Sequence, residues 1–130
     1  METTEKVSVN MNIATISQID LLVDEGYFSN RSDFINQAVR QVLDQKTHII
    51  ENVRQRKSGT DSYWFIGISG LCADDLLKIK EKQMKIKISG YGLLILRDVP
   101  DALVLETVES IAVKGKIVCS DGVKAHFSLR

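Results

Sequence analysis

The chain has little of what most often announces a function. It holds two histidines, two cysteines and one tryptophan in 130 residues, and its 17 basic side chains are matched by 17 acidic ones. Zero net charge excludes a protein that holds nucleic acid by bulk electrostatics, because that mode needs a surplus of lysine and arginine against the phosphates. Dividing the chain changes nothing: residues 1–60 carry seven basic and eight acidic side chains, and residues 61–130 carry ten and nine. Any contact with DNA must come from local placement of charge. The acidic residues Asp20, Asp24 and Glu25 cluster on one segment and are expected to face away from a nucleic acid.

No apolar run approaches the roughly 18 residues of a membrane span, and METTEKVSVN lacks the basic-then-apolar layout of a secretory signal. A cytoplasmic protein without membrane contact is expected. Cys72 and Cys119 lie far apart, which favours reduced, packed thiols. Neither His48 nor His126 forms a recognisable metal-binding motif with a cysteine or carboxylate. Gly90-Tyr91-Gly92 lacks the third glycine and following helix of a dinucleotide fingerprint, and reads as a tight turn between Ile88 and Leu93. Asp74-Asp75 reads as a pair of helix N-terminal acids. No nucleophile, base and orienting group occur together. The expectation is a protein that is not an enzyme and uses no cofactor or metal.

What is present is pattern. Lys6-Val7-Ser8-Val9-Asn10-Met11-Asn12 alternates polar and apolar residues, the signature of a strand with one greasy face. Thr15-Ile16-Ser17-Gln18 fits a capping box, and Ile16, Ile19, Leu22 and Val23 then fall at helical spacing until Gly26. A second helix is expected to open at Asn30-Arg31-Ser32-Asp33, with Asn30 as N-cap and Asp33 near the positive end of the dipole. Its apolar stripe runs through Phe34, Ile35, Ala38, Val39, Val42 and Leu43 and extends to Ile49, Ile50 and Val53. No glycine or proline interrupts it before Gly59, which predicts one long helix.

Arg54-Gln55-Arg56-Lys57 and the turn formers after it read as a boundary. The expected organisation is residues 1–53 as a DNA-binding and dimerisation domain, 54–62 as a linker, and 63–130 as an α/β domain for oligomerisation or ligand sensing. Arg54, Arg56 and Lys57 are either solvated linker charges or additional phosphate contacts. The second half repeats itself weakly. Ile66-Gly67-Ile68-Ser69-Gly70 is echoed by Ile86-Lys87-Ile88-Ser89-Gly90 and by Ile111-Ala112-Val113-Lys114-Gly115. Helix-compatible stretches follow at Ala73–Lys82 and Pro100–Ser110, and a separate strand is expected at Leu93–Leu96. The region is either a repeat module or one ordinary sheet with generic strand-and-turn copies.

A lone strand ahead of two helices leaves its backbone edges unpaired. Pairing with the same strand of a second chain makes a two-stranded ribbon that fits a DNA major groove. Lys6, Ser8 and Asn10 share its polar face, while Val7, Val9 and Met11 point to the core. Lysine donates to guanine, asparagine pairs with adenine, and serine serves either. Ser29, Asn30, Arg31 and Ser32 at the second helix start form a phosphate anchor of free amides, hydroxyls and one arginine.

Residues 5–45 resemble the ribbon-helix-helix fold of CopG, Arc and MetJ-like regulators. The resemblance rests on Val7-Ser8-Val9-Asn10-Met11, on Ile19 through Gly26, and on Ser29-Asn30-Arg31-Ser32-Asp33-Phe34-Ile35. Asn12 departs from it, since many members have proline there. The resemblance implies an intertwined homodimer whose ribbon enters the major groove of double-stranded DNA, with Lys6, Ser8 and Asn10 reading bases. The fold class expected is α+β: an N-terminal β-α-α module followed by a small, repeat-like α/β domain. Nickel-responsive relatives carry clustered histidines that this chain lacks. The expected function is a sequence-specific transcriptional regulator, a repressor, assembled as a dimer or as a tetramer through residues 63–130, its small-molecule effector unidentified. The alternatives are an interaction protein that uses the first module only to dimerise, or an antitoxin-type autoregulator.

Overall fold

A computed structural model describes residues 4–129. The chain divides into two compact units, Met1–His48 and Ile49–Arg130.

Residues 4–12 of the first unit form neither helix nor strand, and all are exposed. Among the described residues the alternating segment has no strand partner, and a strand is defined by its ladder. Helix α1 spans Ile13–Asp24. Its N-cap is Asn12, whose side chain accepts from the Ala14 amide at 2.8 Å. The capping box expected at Thr15–Gln18 is therefore inside the helix. The helix ends as Gly26 requires. With φ at +87°, Gly26 turns the chain so that its amide reaches the Val23 carbonyl at 3.1 Å and the Tyr27 amide reaches Leu22 at 3.0 Å.

Helix α2 spans Arg31–Gln45 and opens at the expected Asn30 cap. It then stops, and α3 runs over Thr47–Lys57. The long helix expected from the apolar stripe is thus two. The Leu43 carbonyl explains the break: it accepts from the Lys46 amide at 3.0 Å and from the Thr47 hydroxyl at 3.2 Å. A threonine that bonds back to its own helix competes with the backbone ladder without any glycine or proline. Helix α3 also contains Arg54, Gln55, Arg56 and Lys57, residues read from the sequence as linker.

The second unit continues as β1 (Ser62–Gly70), α4 (Ala73–Glu81), β2 (Ile86–Ile95), α5 (Asp101–Thr107), β3 (Val108–Val118) and α6 (Asp121–Phe127). The three strands form one parallel sheet in the order β1-β2-β3. Three successive strand–helix units are therefore stacked side by side. The register differs from the sequence echo. Gly67 pairs with Gly92 and Gly92 with Gly115, whereas the echo had aligned Gly70, Gly90 and Gly115. Gly90-Tyr91-Gly92 is no turn but the middle of β2, so Leu93–Leu96 is not a separate strand. Residues Val108–Ser110, expected at the end of a helix, open β3.

Pleating sorts the side chains into two faces. Phe65, Ile88, Leu94 and Leu96 join Leu76, Leu103, Val104 and Val123 from the helices in one buried cluster. All three helices thus cover the same face. Lys80 on α4 and Glu106 on α5 are paired at 2.8 Å. The other face carries Trp64, Ile66 and Ile68 of β1, Tyr91, Leu93 and Ile95 of β2, and Lys114 and Lys116 of β3. Ile66, Ile68 and Tyr91 are exposed by 45%, 58% and 52%. Arg54 of α3 lies over the Trp64 ring at 5.3 Å.

Both cysteines are free. Cys119 is half-buried against the core, and burial pushes its thiol pKa up. Cys72 is exposed, contrary to the packed thiol expected, because it caps α4, its amide donating to Asp75 at 3.0 Å. Asp74 and Asp75 sit in the first turn of α4, as the dipole favours. Among the described residues no three His, Cys, Asp or Glu side chains are grouped to hold a metal ion, and no helix is long and apolar enough to cross a membrane.

Candidate nucleic-acid interface

The base-reading residues expected from the sequence, Lys6, Ser8 and Asn10, all lie on the exposed segment before α1. So do their apolar neighbours. Val7 is 78% exposed, Val9 69% and Met11 39%. Ile19 alone is buried in α1 and α2, and Phe28 meets Phe34 edge-on at 4.9 Å. A unit of this size with one buried side chain does not offset the entropy of ordering its backbone.

The start of α2 carries the remaining candidates. The Asn30 side chain accepts from the Asp33 amide at 2.8 Å, and Asp33 accepts from the Ser29 amide at 3.0 Å. These reciprocal bonds hold the turn and occupy two of the groups assigned to phosphate. Among the described residues the Arg31 and Ser32 amides and the Ser32 hydroxyl have no partner. They are the donors a phosphate oxygen would find at the positive end of the helix.

Arg31 behaves differently from expectation in one respect. Its guanidinium makes two bonds to Asp20 of α1, at 2.8 and 2.9 Å. The fork that would grip a phosphate grips a carboxylate and ties the two helices together. Sequence reasoning missed this pairing. The two residues belong to different helices, and no local periodicity links them.

Both carboxyls respond. The Arg31 hydrogen bond holds Asp20 below its ordinary range, and the Ser29 amide, helped by Gln37, does the same for Asp33. A folded pKa that is depressed contributes stability above the unfolded value and loses it as pH falls through the folded value. The helix pair is expected to hold above about pH 4 and to weaken below it. Far-ultraviolet circular dichroism of Asp20→Asn combined with Asp33→Asn should show a flatter acid transition. An unchanged profile would place that transition elsewhere.

The first unit is thus two short helices joined by a glycine-terminated turn, behind an exposed segment of strand length. Residues 2–124 match the Ribbon-Helix-Helix transcriptional regulator family, and the chain belongs to that family. The match extends through the strand–helix units, so they are part of the family's own pattern. Proteins of this family typically bind DNA as dimers. The uncharacterized protein MJ1679 of Methanocaldococcus jannaschii is 29% identical over 82 residues, which cover 63% of this chain and 71% of that protein. No solved structure matches the chain.

Proposed function

We propose that this protein is a sequence-specific DNA-binding repressor that reads the major groove with a two-stranded ribbon formed by a homodimer. One observation carries the reading: Val7, Val9 and Met11 alternate with Lys6, Ser8 and Asn10 on a segment wholly exposed in one chain. Pairing two such segments antiparallel satisfies their backbone groups and turns the apolar residues onto a shared core. The polar residues then line the outer side of the ribbon, where lysine and asparagine meet guanine and adenine edges. Ser32 and the free amides of α2 anchor a phosphate, joined by Arg31 when it exchanges Asp20 for DNA. Residues 63–130 serve oligomerisation or sensing.

Gel shifts against the DNA upstream of the protein's own gene test this. Lys6→Ala with Asn10→Ala should lower specific affinity by about a hundredfold or more, at roughly 1–3 kcal/mol per lost base contact, while leaving the dimer intact. Absence of binding at low salt, or binding indifferent to both substitutions, would end the proposal.

A further inference from the structure

We infer that the uncovered face of the β1-β2-β3 sheet seats the same face of a second copy of this chain, forming a two-sheet sandwich with the helices outside. The inference rests on the dimer reading above. A parallel sheet ordinarily has both faces covered, because its crossovers lay helices on them and its strands are apolar on both sides. Here one face is covered by α4, α5 and α6. The other has Arg54 of α3 over Trp64 at one end and presents Ile66, Ile68 and Tyr91 about half exposed, with Leu93 and Ile95 beside them. Cross-strand pairing sets Ile66 beside Tyr91 and Ile68 beside Leu93, so the apolar side chains are contiguous.

The size of the face selects the occupant. Three strands of nine to eleven residues span roughly 30 by 14 Å, or about 400 Å². Two such faces bury on the order of 800 Å² together, below the roughly 1,200 Å² of a free-standing specific interface. A partner arriving from solution would be held poorly. A second copy already joined through its first unit is present at an effective concentration on the order of millimolar, and a small apolar face suffices. Lys114 and Lys116, paired beside Tyr91 and Leu93 on the edge strand β3, supply a charged rim. A rim of this kind limits stacking to one partner and discourages edge-to-edge growth. Both surfaces of such a contact are the same patch, so the assembly is closed by a twofold axis.

Cross-linking of the full chain tests the inference. Tyr91→Cys in a Cys72→Ser background places a thiol on the central strand of the face, and Lys78→Cys in the same background places one on α4. A short bis-maleimide should join Tyr91→Cys chains to each other at least about tenfold faster than Lys78→Cys chains. Adding Ile68→Glu should remove that advantage with the circular dichroism spectrum unchanged. Light scattering of the same samples separates the two readings. A dimeric or tetrameric mass with no preference for Tyr91→Cys overturns this inference alone and leaves the face to another partner. A monomeric mass overturns the dimer reading and this inference with it.

Discussion

Gly92→Ala is expected to destabilise the second unit severely, while Gly67→Ala, at the paired position one strand away, costs it far less. The two glycines share a row of the sheet and both have positive φ, +123° and +101°. What differs is the neighbour. A methyl group on Gly92 would sit 2.0 Å from the Gly67 carbonyl oxygen and 2.9 Å from its carbon. That carbonyl belongs to the backbone of β1, so relief requires the strands to separate along a pairing that joins the whole unit. On Gly67 the same methyl meets nothing within 4 Å. Its cost is the left-handed conformation alone, about 1–2 kcal/mol. For Gly92→Ala the conformational and steric costs act together, and a loss of more than about 4 kcal/mol follows. That is a large part of the 5–15 kcal/mol or so that keeps an ordinary domain folded. Urea unfolding of the two variants measures the difference directly. Equal midpoints would show that the row tolerates a side chain and that the close approach is not structural.

Val9→Asp should break the assembly. In the proposed ribbon Val9 turns onto the core shared by two chains, so the substitution buries a carboxylate with no partner. Uncompensated buried charges cost about 3–5 kcal/mol, and a dimer dissociation constant should rise at least about a hundredfold. DNA binding should vanish with it. Lys6→Ala, three residues away on the other side, should leave the dimer mass unchanged and affect DNA alone. Sedimentation over a dilution series distinguishes them. A Val9→Asp chain that remains dimeric while Lys6→Ala dissociates would reverse the assignment of faces.

Much of the first unit was legible because its signals are local. Asn30 announces its helix by its own side chain, and Gly26 ends the preceding one by its own backbone. Two local signals competed at the start of α1, and the less conspicuous won. Thr15 and Gln18 have capping-box spacing, yet Asn12 already caps the helix one turn earlier. The break before Thr47 was hidden because a hydroxyl made it, in a stripe whose apolar spacing runs on undisturbed. In the second unit the strand–helix alternation was readable and the register was not. Ile-x-Ile-x-Gly matches itself at several offsets, and the close approaches of Gly90 to Phe65, Gly92 to Gly67 and Gly115 to Gly92 select among them. The candidate site divides in the same way. The alternation of Lys6, Ser8 and Asn10 is visible in one dimension, whereas the Asp20–Arg31 pair exists only once two helices have met.

The strand order carries a consequence for how the protein is made. Each strand of the second unit pairs with the strand next to it in sequence, so chain closure there is never long. Folding rates fall as contacting residues grow more distant along the chain, and stacked units of this sort add one beside another. The second unit can pair its strands as soon as its own residues have left the ribosome. The proposed ribbon has no such option, because in that reading its complement lies on another molecule. A new chain therefore spends its early life half finished, and the time it spends so shortens in proportion to the number of siblings around it. An autoregulated repressor with that property would sense its own abundance through the rate at which it becomes whole.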